Sequence, residues 1–267
     1  MTLAPTPLPR PAPLARSRNM IAVASGKGGV GKTWFAITLS HALARSGCRT
    51  LLFDGDLGLA NIDIQLALNA GQQDLAAVLS GRLTLSGAVS RFGPGGFDVV
   101  AGQSGSGKLA QVPVHRLQIL IGDLATLAMA YDRVVLDIGA GVEQTVRLLA
   151  GQAGICAVVA TDEPTSLTDA YAFIKLTHLE QPGSDLRIVV NMASSTADGE
   201  HTYQTIAATC ERFLKISPPL LGIVRRDIRV REAIRNQEPL LTRFPASAAA
   251  ADVEAIAARL IAPPVTF

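Results

Sequence analysis

Residues 26–33 read Gly26-Lys27-Gly28-Gly29-Val30-Gly31-Lys32-Thr33, and what flanks this stretch decides the fold. Before it, residues 20–25 form a short apolar run; after it, residues 32–46 repeat apolar side chains at helical spacing. The stretch therefore satisfies G-x-x-x-x-G-K-[ST] between a strand and a helix, the setting in which that pattern has a mechanism. Glycines let successive backbone N–H groups converge on phosphate oxygens without Cβ clashes. The helix N-terminus adds partial positive charge at the same place. Lys32 is placed to neutralise the terminal phosphates and the Thr33 hydroxyl to ligate Mg²⁺. A second formal match, Gly102-Gln103-Ser104-Gly105-Ser106-Gly107-Lys108, lacks this setting. Leu109 stands where the metal-binding hydroxyl belongs, and Pro113 disfavours a long helix from that loop. It reads as a Gly/Ser loop.

Outward from the loop, short β-branched runs alternate with longer amphipathic stretches. Strands are expected at 20–25, 50–53, 97–100, 133–137, 155–160, 187–191 and 221–224. Helices are expected near 32–46, 113–130, 143–152, 166–180, 201–214, 227–236 and 247–261. The strands are nearly all apolar, as strands buried on both faces must be. The expected fold is α/β: a doubly wound, mostly parallel β-sheet flanked by helices on both faces. Its ligands belong outside the C-terminal strand ends. Hydrophobic residues make up 48% of the 267 residues and aromatics only 4%, so the core rests on Ala, Val, Ile and Leu. Residues 19–262 are expected to form one domain, preceded by a Pro-rich tail over 1–18 and followed by a short tail over 263–267. Proline at every second position from Pro5 to Pro13 blocks helix and ladder alike. The net charge of +2 is too small to argue for nucleic acid or a membrane surface as a partner. Cys48, Cys156 and Cys210 have no metal-ligand spacing and read as buried, reduced thiols of a cytoplasmic protein.

Carboxylates cluster where the sheet should present them. Asp54 and Asp56 follow the second strand, where carboxylates beside a phosphate loop hold Mg²⁺ or orient an attacking water. The run Val134-Val135-Leu136-Asp137-Ile138-Gly139 is an apolar strand ending in Asp, with small residues after it. Asp137 is expected to hold Mg²⁺ through water, and the following loop to move with the terminal phosphate. Asn191 closes the strand over 187–191, a place where Asn also commonly starts a turn.

The second lysine of the loop, Lys27, stands directly after its first glycine. That placement resembles the deviant Walker A loop of the MinD/ParA family of dimerising ATPases. The resemblance runs from about residue 20 to 260. It implies an ATPase that binds ATP and Mg²⁺ through Gly26, Lys27, Gly28, Gly29, Val30, Gly31, Lys32 and Thr33, and forms a homodimer in the ATP state. Lys27 would reach the partner copy's phosphates, as an arginine finger does. Asp56 would position the water, Asp54 would support the metal site, and Asn191 would contact the adenine. Three stretches, 56–63, 163–171 and 227–234, resemble the flagellar-number branch of that family. This implies a protein partner such as a signal-recognition-type GTPase or a transcriptional activator.

The chain also departs from that pattern. The N-terminal 18 residues lack the GTPase-stimulating motif that branch often carries. The apolar stripe Val253, Ile256, Leu260 and Ile261 has acidic neighbours Asp252 and Glu254 and a single base, Arg259. It suits packing on the domain better than a lipid surface, which wants several basic residues. Trp34 either lies near the nucleotide or fills the helix–sheet interface. Arg225, Arg226, Arg229, Arg231 and Arg235 form either a solvated face with i, i+4 pairs or a contact surface for DNA or a partner.

Overall fold

The computed structural model describes residues 16–68, 74–102 and 112–262. The strands are β1 (Ser17–Ser25), β2 (Thr50–Gly55), β3 (Ser90–Phe92), β4 (Phe97–Val100), β5 (Arg133–Ala140), β6 (Ala153–Ala160), β7 (Leu186–Ala193) and β8 (Leu220–Arg225). They join one sheet in the order β3-β4-β2-β5-β1-β6-β7-β8. Every neighbouring pair is parallel except β3 with β4, which is antiparallel at the edge. The helices are α1 (Lys32–Arg45), α2 (Ile62–Gln65), α3 (Leu75–Leu79), α4 (Val114–Ala128), α5 (Gln144–Ala150), α6 (Pro164–Glu180), α7 (Thr196–Leu214), α8 (Ile228–Arg235), α9 (Leu240–Arg243) and α10 (Ala248–Ile261). This is the doubly wound α/β fold that the alternation of runs implies.

Strand alternation divides the core into two layers. Met20, Ala22 and Ala24 of β1, with Leu51 and Phe53 of β2, face a cluster that includes residues of α4, α5, α6 and α7. Ile21, Val23 and Leu52 point the other way, into a cluster shared with α1 and α10. Successive side chains of a strand take opposite faces, so apolar residues at every position are what two helical layers require. Phe53 and Phe35, both fully buried, anchor opposite layers.

Three features differ from the expectation. β1 begins at Ser17, so the end of the stretch read as a tail belongs to the sheet. The Arg16 guanidinium helps fix this start, donating to the Gly183 carbonyl at 2.5 Å and the Ser184 hydroxyl at 3.0 Å. The elements β3, α2, α3 and α9 are each too short to show a period. Helices α6 and α7 begin earlier than their apolar pattern: Pro164 occupies the first turn of α6, where a missing N–H costs nothing, and the Ser195 side chain caps α7 by accepting from Asp198 N–H.

The stripe on α10 packs inward, with Val253, Ile256 and Leu260 buried. Its acidic neighbours tie the helix down: Asp252 takes a bidentate pair from Arg225 and Glu254 pairs with Arg45 at 3.0 Å. No helix among the described residues is long and apolar enough to cross a membrane.

Candidate nucleotide site

The loop 26–31 leaves the C-terminal end of β1, with β5 on one side and β6 on the other. Two glycines shape it. A Cβ on Gly26 would lie 1.9 Å from the Asp169 carbonyl oxygen, so only glycine lets the loop lie flush against α6. Gly31 has φ +86° and caps α1 in the left-handed region; a Cβ there would meet the Asn191 amide nitrogen at 2.5 Å. The Ser25 hydroxyl donates to the Lys27 carbonyl at 2.6 Å, bracing the turn from below.

The two lysines of the loop go in opposite directions. Lys32 is buried, 8% exposed, and its charge acts on Asp137. Lys27 sits at the rim, its ammonium donating to Glu163 Oε2 at 2.7 Å and to the Thr165 hydroxyl at 2.8 Å. The bond from Lys27 lowers the Glu163 pKa. Glu163 and Thr165 stand at the start of α6, the helix that Gly26 allows the loop to touch.

Asp54 and Asp137 are direct register partners on β2 and β5, both 1% exposed. Packing two carboxylates side by side in a dry place disfavours their charged forms. Burial, then the Asp137 charge, raises the Asp54 pKa well above the usual range. Burial pushes Asp137 up to about 6, against a hydrogen bond from the Thr33 hydroxyl and the nearby Lys32 charge. Asp54 accepts from Asp56 N–H at 3.2 Å and Gly102 N–H at 3.4 Å. Asp137 Oδ1 is buried with no partner. An unpaired carboxylate oxygen beside a threonine hydroxyl and a second carboxylate suits a hydrated Mg²⁺, which keeps several waters in its shell. Asp56 accepts from Gly58 N–H at 3.3 Å and Leu59 N–H at 2.9 Å, closing its own turn. Its Oδ1 lies 3.6 Å from where a Cβ on Gly139 would be, so it overlooks the loop that follows Asp137.

Beside the phosphate loop opens a cavity of about 410 Å³, lined by Gly31, Trp34, Asn191, Met192, Val224 and Ile228 among others. A volume of that order accommodates a ligand the size of a nucleobase with its sugar. Asn191 donates from its side-chain amide to the Val30 carbonyl at 2.8 Å, clamping the loop to the end of β7. Met192 follows with φ +59°, where the β7–β8 register shifts, and its carbonyl accepts from Arg226 Nε at 3.4 Å. Of the expected arginine face, Arg225 is committed to Asp252. Glu232 pairs with Arg243 of α9 rather than with an arginine of its own helix.

The structure thus brings Lys27, Lys32, Thr33, Trp34, Asp54, Asp56, Asp137 and Asn191 to one end of the sheet. Of the second formal loop match only Gly102 lies within the described residues; 103–108 lie outside them. Reading the sequence missed Glu163, Thr165 and Met192. For the first two a signal existed: Pro164 marks a helix start straight after a strand, at the end of the sheet where ligands bind.

A phosphate loop with an outward second lysine, and carboxylates at the two adjoining strand ends of a doubly wound sheet, define a P-loop nucleotide-binding protein. Residues 21–240 match the CobQ/CobB/MinD/ParA nucleotide-binding domain, and the chain belongs to that family of ATPases. It is 36% identical over 242 residues to the antiactivator FleN of Pseudomonas aeruginosa, covering 91% of this chain and 86% of that protein. It is 26% identical over 244 residues to the flagellum site-determining protein YlxH of Helicobacter pylori, covering 91% and 82%. The fold superposes on the septum site-determining protein MinD of Pyrococcus horikoshii, solved with Mg-ADP, with a TM-score of 0.77 at 23% identity over 92% of this chain and 96% of that one.

Proposed function

We propose that this ATPase binds Mg-ATP, closes face to face on a second copy of itself, and hydrolyses ATP slowly as a switch that sets flagellar number or placement. The observation that carries this reading is the position of Lys27. It shares a loop with Lys32 yet lies at the rim, paired with Glu163, while the interior site has its full set of Lys32, Thr33, Asp54 and Asp137. A cation at the rim is placed to serve phosphates held by a facing molecule.

In this reading the loop N–H groups and Lys32 would hold the β- and γ-phosphates, and the Thr33 hydroxyl, Asp137 and Asp54 would hold Mg²⁺. The metal supplies neutralisation of phosphate charge. Asp56 orients the attacking water once it leaves its turn, and Asn191, Trp34 and Met192 surround the adenine. Lys27 leaves Glu163 and reaches the facing phosphates. The flagellar role draws support from the likeness to FleN and YlxH. FleN is an antiactivator by name, which makes a transcriptional activator the first partner to test, ahead of a signal-recognition-type GTPase.

The test is ATP turnover per subunit as a function of protein concentration at saturating Mg-ATP. A rate that climbs with concentration to a plateau is expected, because each site is completed by a second chain. Turnover independent of concentration, down to dilutions where light scattering shows only monomer, contradicts it.

A further inference from the structure

Trp34 is the only tryptophan in the chain, directly after the residue whose hydroxyl serves the metal. A core role accounts for part of its setting. It is 6% exposed and packs in the layer that includes Val30, Phe35 and Val224. Yet its ring also lines the cavity beside the phosphate loop, and its indole Nε1 is buried with no hydrogen-bond partner. Buried tryptophan N–H groups usually find an acceptor, and a buried donor left unpaired carries its full desolvation cost. A residue chosen only to fill volume would be served better by phenylalanine or leucine. The unpaired N–H, in a side chain that walls a ligand cavity, is the feature packing leaves unexplained.

We propose that Trp34 is a ligand-contacting residue of the nucleotide site: its indole ring forms a wall of the base cavity, and its N–H, closed off in the chain by itself, turns to an acceptor on the bound adenosine nucleotide. This rests on the nucleotide reading above. The other walls are mixed: Met192, Val224 and Ile228 present hydrocarbon and a thioether to a flat ring, while Arg226, Asp227 and Arg231 bring charge that suits the polar parts of a nucleotide. One N–H of the Asn191 amide is engaged with the Val30 carbonyl, which leaves its second N–H and its oxygen to act on the base alongside Trp34.

The lone tryptophan makes the test direct. Its emission is followed while the full chain is titrated with Mg-ADP, and the affinity for ADP is measured by calorimetry for the native protein, Trp34→Phe and Trp34→Ala. Saturable change in emission is expected, with the same midpoint as the calorimetric curve. Trp34→Phe keeps a ring wall and removes only the donor, and is expected to weaken ADP by about 3–10-fold, the loss of one hydrogen bond. Trp34→Ala also opens the wall and is expected to weaken ADP further. Unchanged emission at saturating ADP overturns the proposal. So does a Trp34→Phe protein with native ADP affinity, most plainly if its melting temperature has risen because the unpaired donor is gone. Calorimetry that finds no nucleotide bound to the native protein overturns the nucleotide reading itself, and this inference with it.

Discussion

Lys32 and Lys27 belong to one loop, carry the same charge and have different fates. Lys32 opens α1, is almost wholly buried, and sits among carboxylates that burial has made reluctant to ionise. Lys27 keeps about a third of its side chain exposed and is held at the rim by an exposed carboxylate and a hydroxyl. The difference teaches that a phosphate loop can face two ways. Its inner lysine lies beside buried carboxylates, an arrangement that the proposed phosphate and metal would complete. The outer one makes a contact that water could replace at little cost, since an exposed ion pair gains little over solvation of its two partners. A side chain held so weakly is free to be used elsewhere.

Replacing each lysine tests the contrast most severely. Lys32→Ala removes the buried cation whose charge acts on Asp137. ATP affinity measured by calorimetry is expected to fall on the order of 100-fold or more, with no measurable turnover. Lys27→Ala is expected to leave ATP affinity within about 3-fold of native while turnover falls at least about 100-fold, as when a finger residue is lost. Equal losses of affinity in the two variants would break the distinction between inner and outer lysine.

A pH series sharpens the inner half. Asp137 is raised to about 6, so between the ordinary carboxylate range and that value the folded chain holds a proton that the unfolded chain has lost. The sign follows: this group favours the fold at low pH, and that contribution is lost as pH rises through about 6. Metal-free protein is therefore expected to lose stability over the window from about pH 4 to 6 as far as this group controls it. Mg-nucleotide affinity should rise over the upper part of the same window if the ionised Asp137 carboxylate holds the metal as proposed. Asp137→Asn should abolish the rise in affinity; a titration that keeps it locates the pH dependence elsewhere. The smallest effect is expected from Glu163→Gln. Thermal unfolding should be nearly unchanged, with ADP affinity also unchanged. A larger loss of stability would mean that Lys27 is fixed at the rim rather than held there loosely.

Much of this was legible in the sequence because it depends on local pattern. All-apolar runs such as Val134-Val135-Leu136 announce strands covered on both faces, and the loop from Gly26 to Thr33 names its own chemistry. Asp54 and Asp137 could be placed at strand ends, yet their side-by-side register is a property of strand order, which connects β2 to β5 across more than one intervening element. The helix after β6 was expected from 166, two residues late, and nothing in the sequence pairs Glu163 with Lys27. That pairing depends on Gly26 letting the loop approach α6 closely. Met192 could not be foreseen, because its left-handed backbone arises from a register shift between two strands rather than from its side chain. The edge strand β3 and the single-turn helices α2 and α9 leave no periodic trace. The α10 stripe was legible as packing because Asp252 and Glu254 spoke against a lipid surface, and both acids now take part in docking it.

The claim that the outer lysine serves a second copy of the chain is tested most directly by solution mass. Light scattering on the Asp56→Ala protein, which should bind ATP but fail to orient the water, would be recorded with Mg-ADP and with Mg-ATP. A monomer with ADP and twice that mass with ATP is the expected result. Doubly substituted Asp56→Ala, Lys27→Ala protein provides the control for the role of the rim. A single monomeric mass under both nucleotides, with ATP binding confirmed by calorimetry, would contradict the account and leave Lys27 without the partner proposed for it.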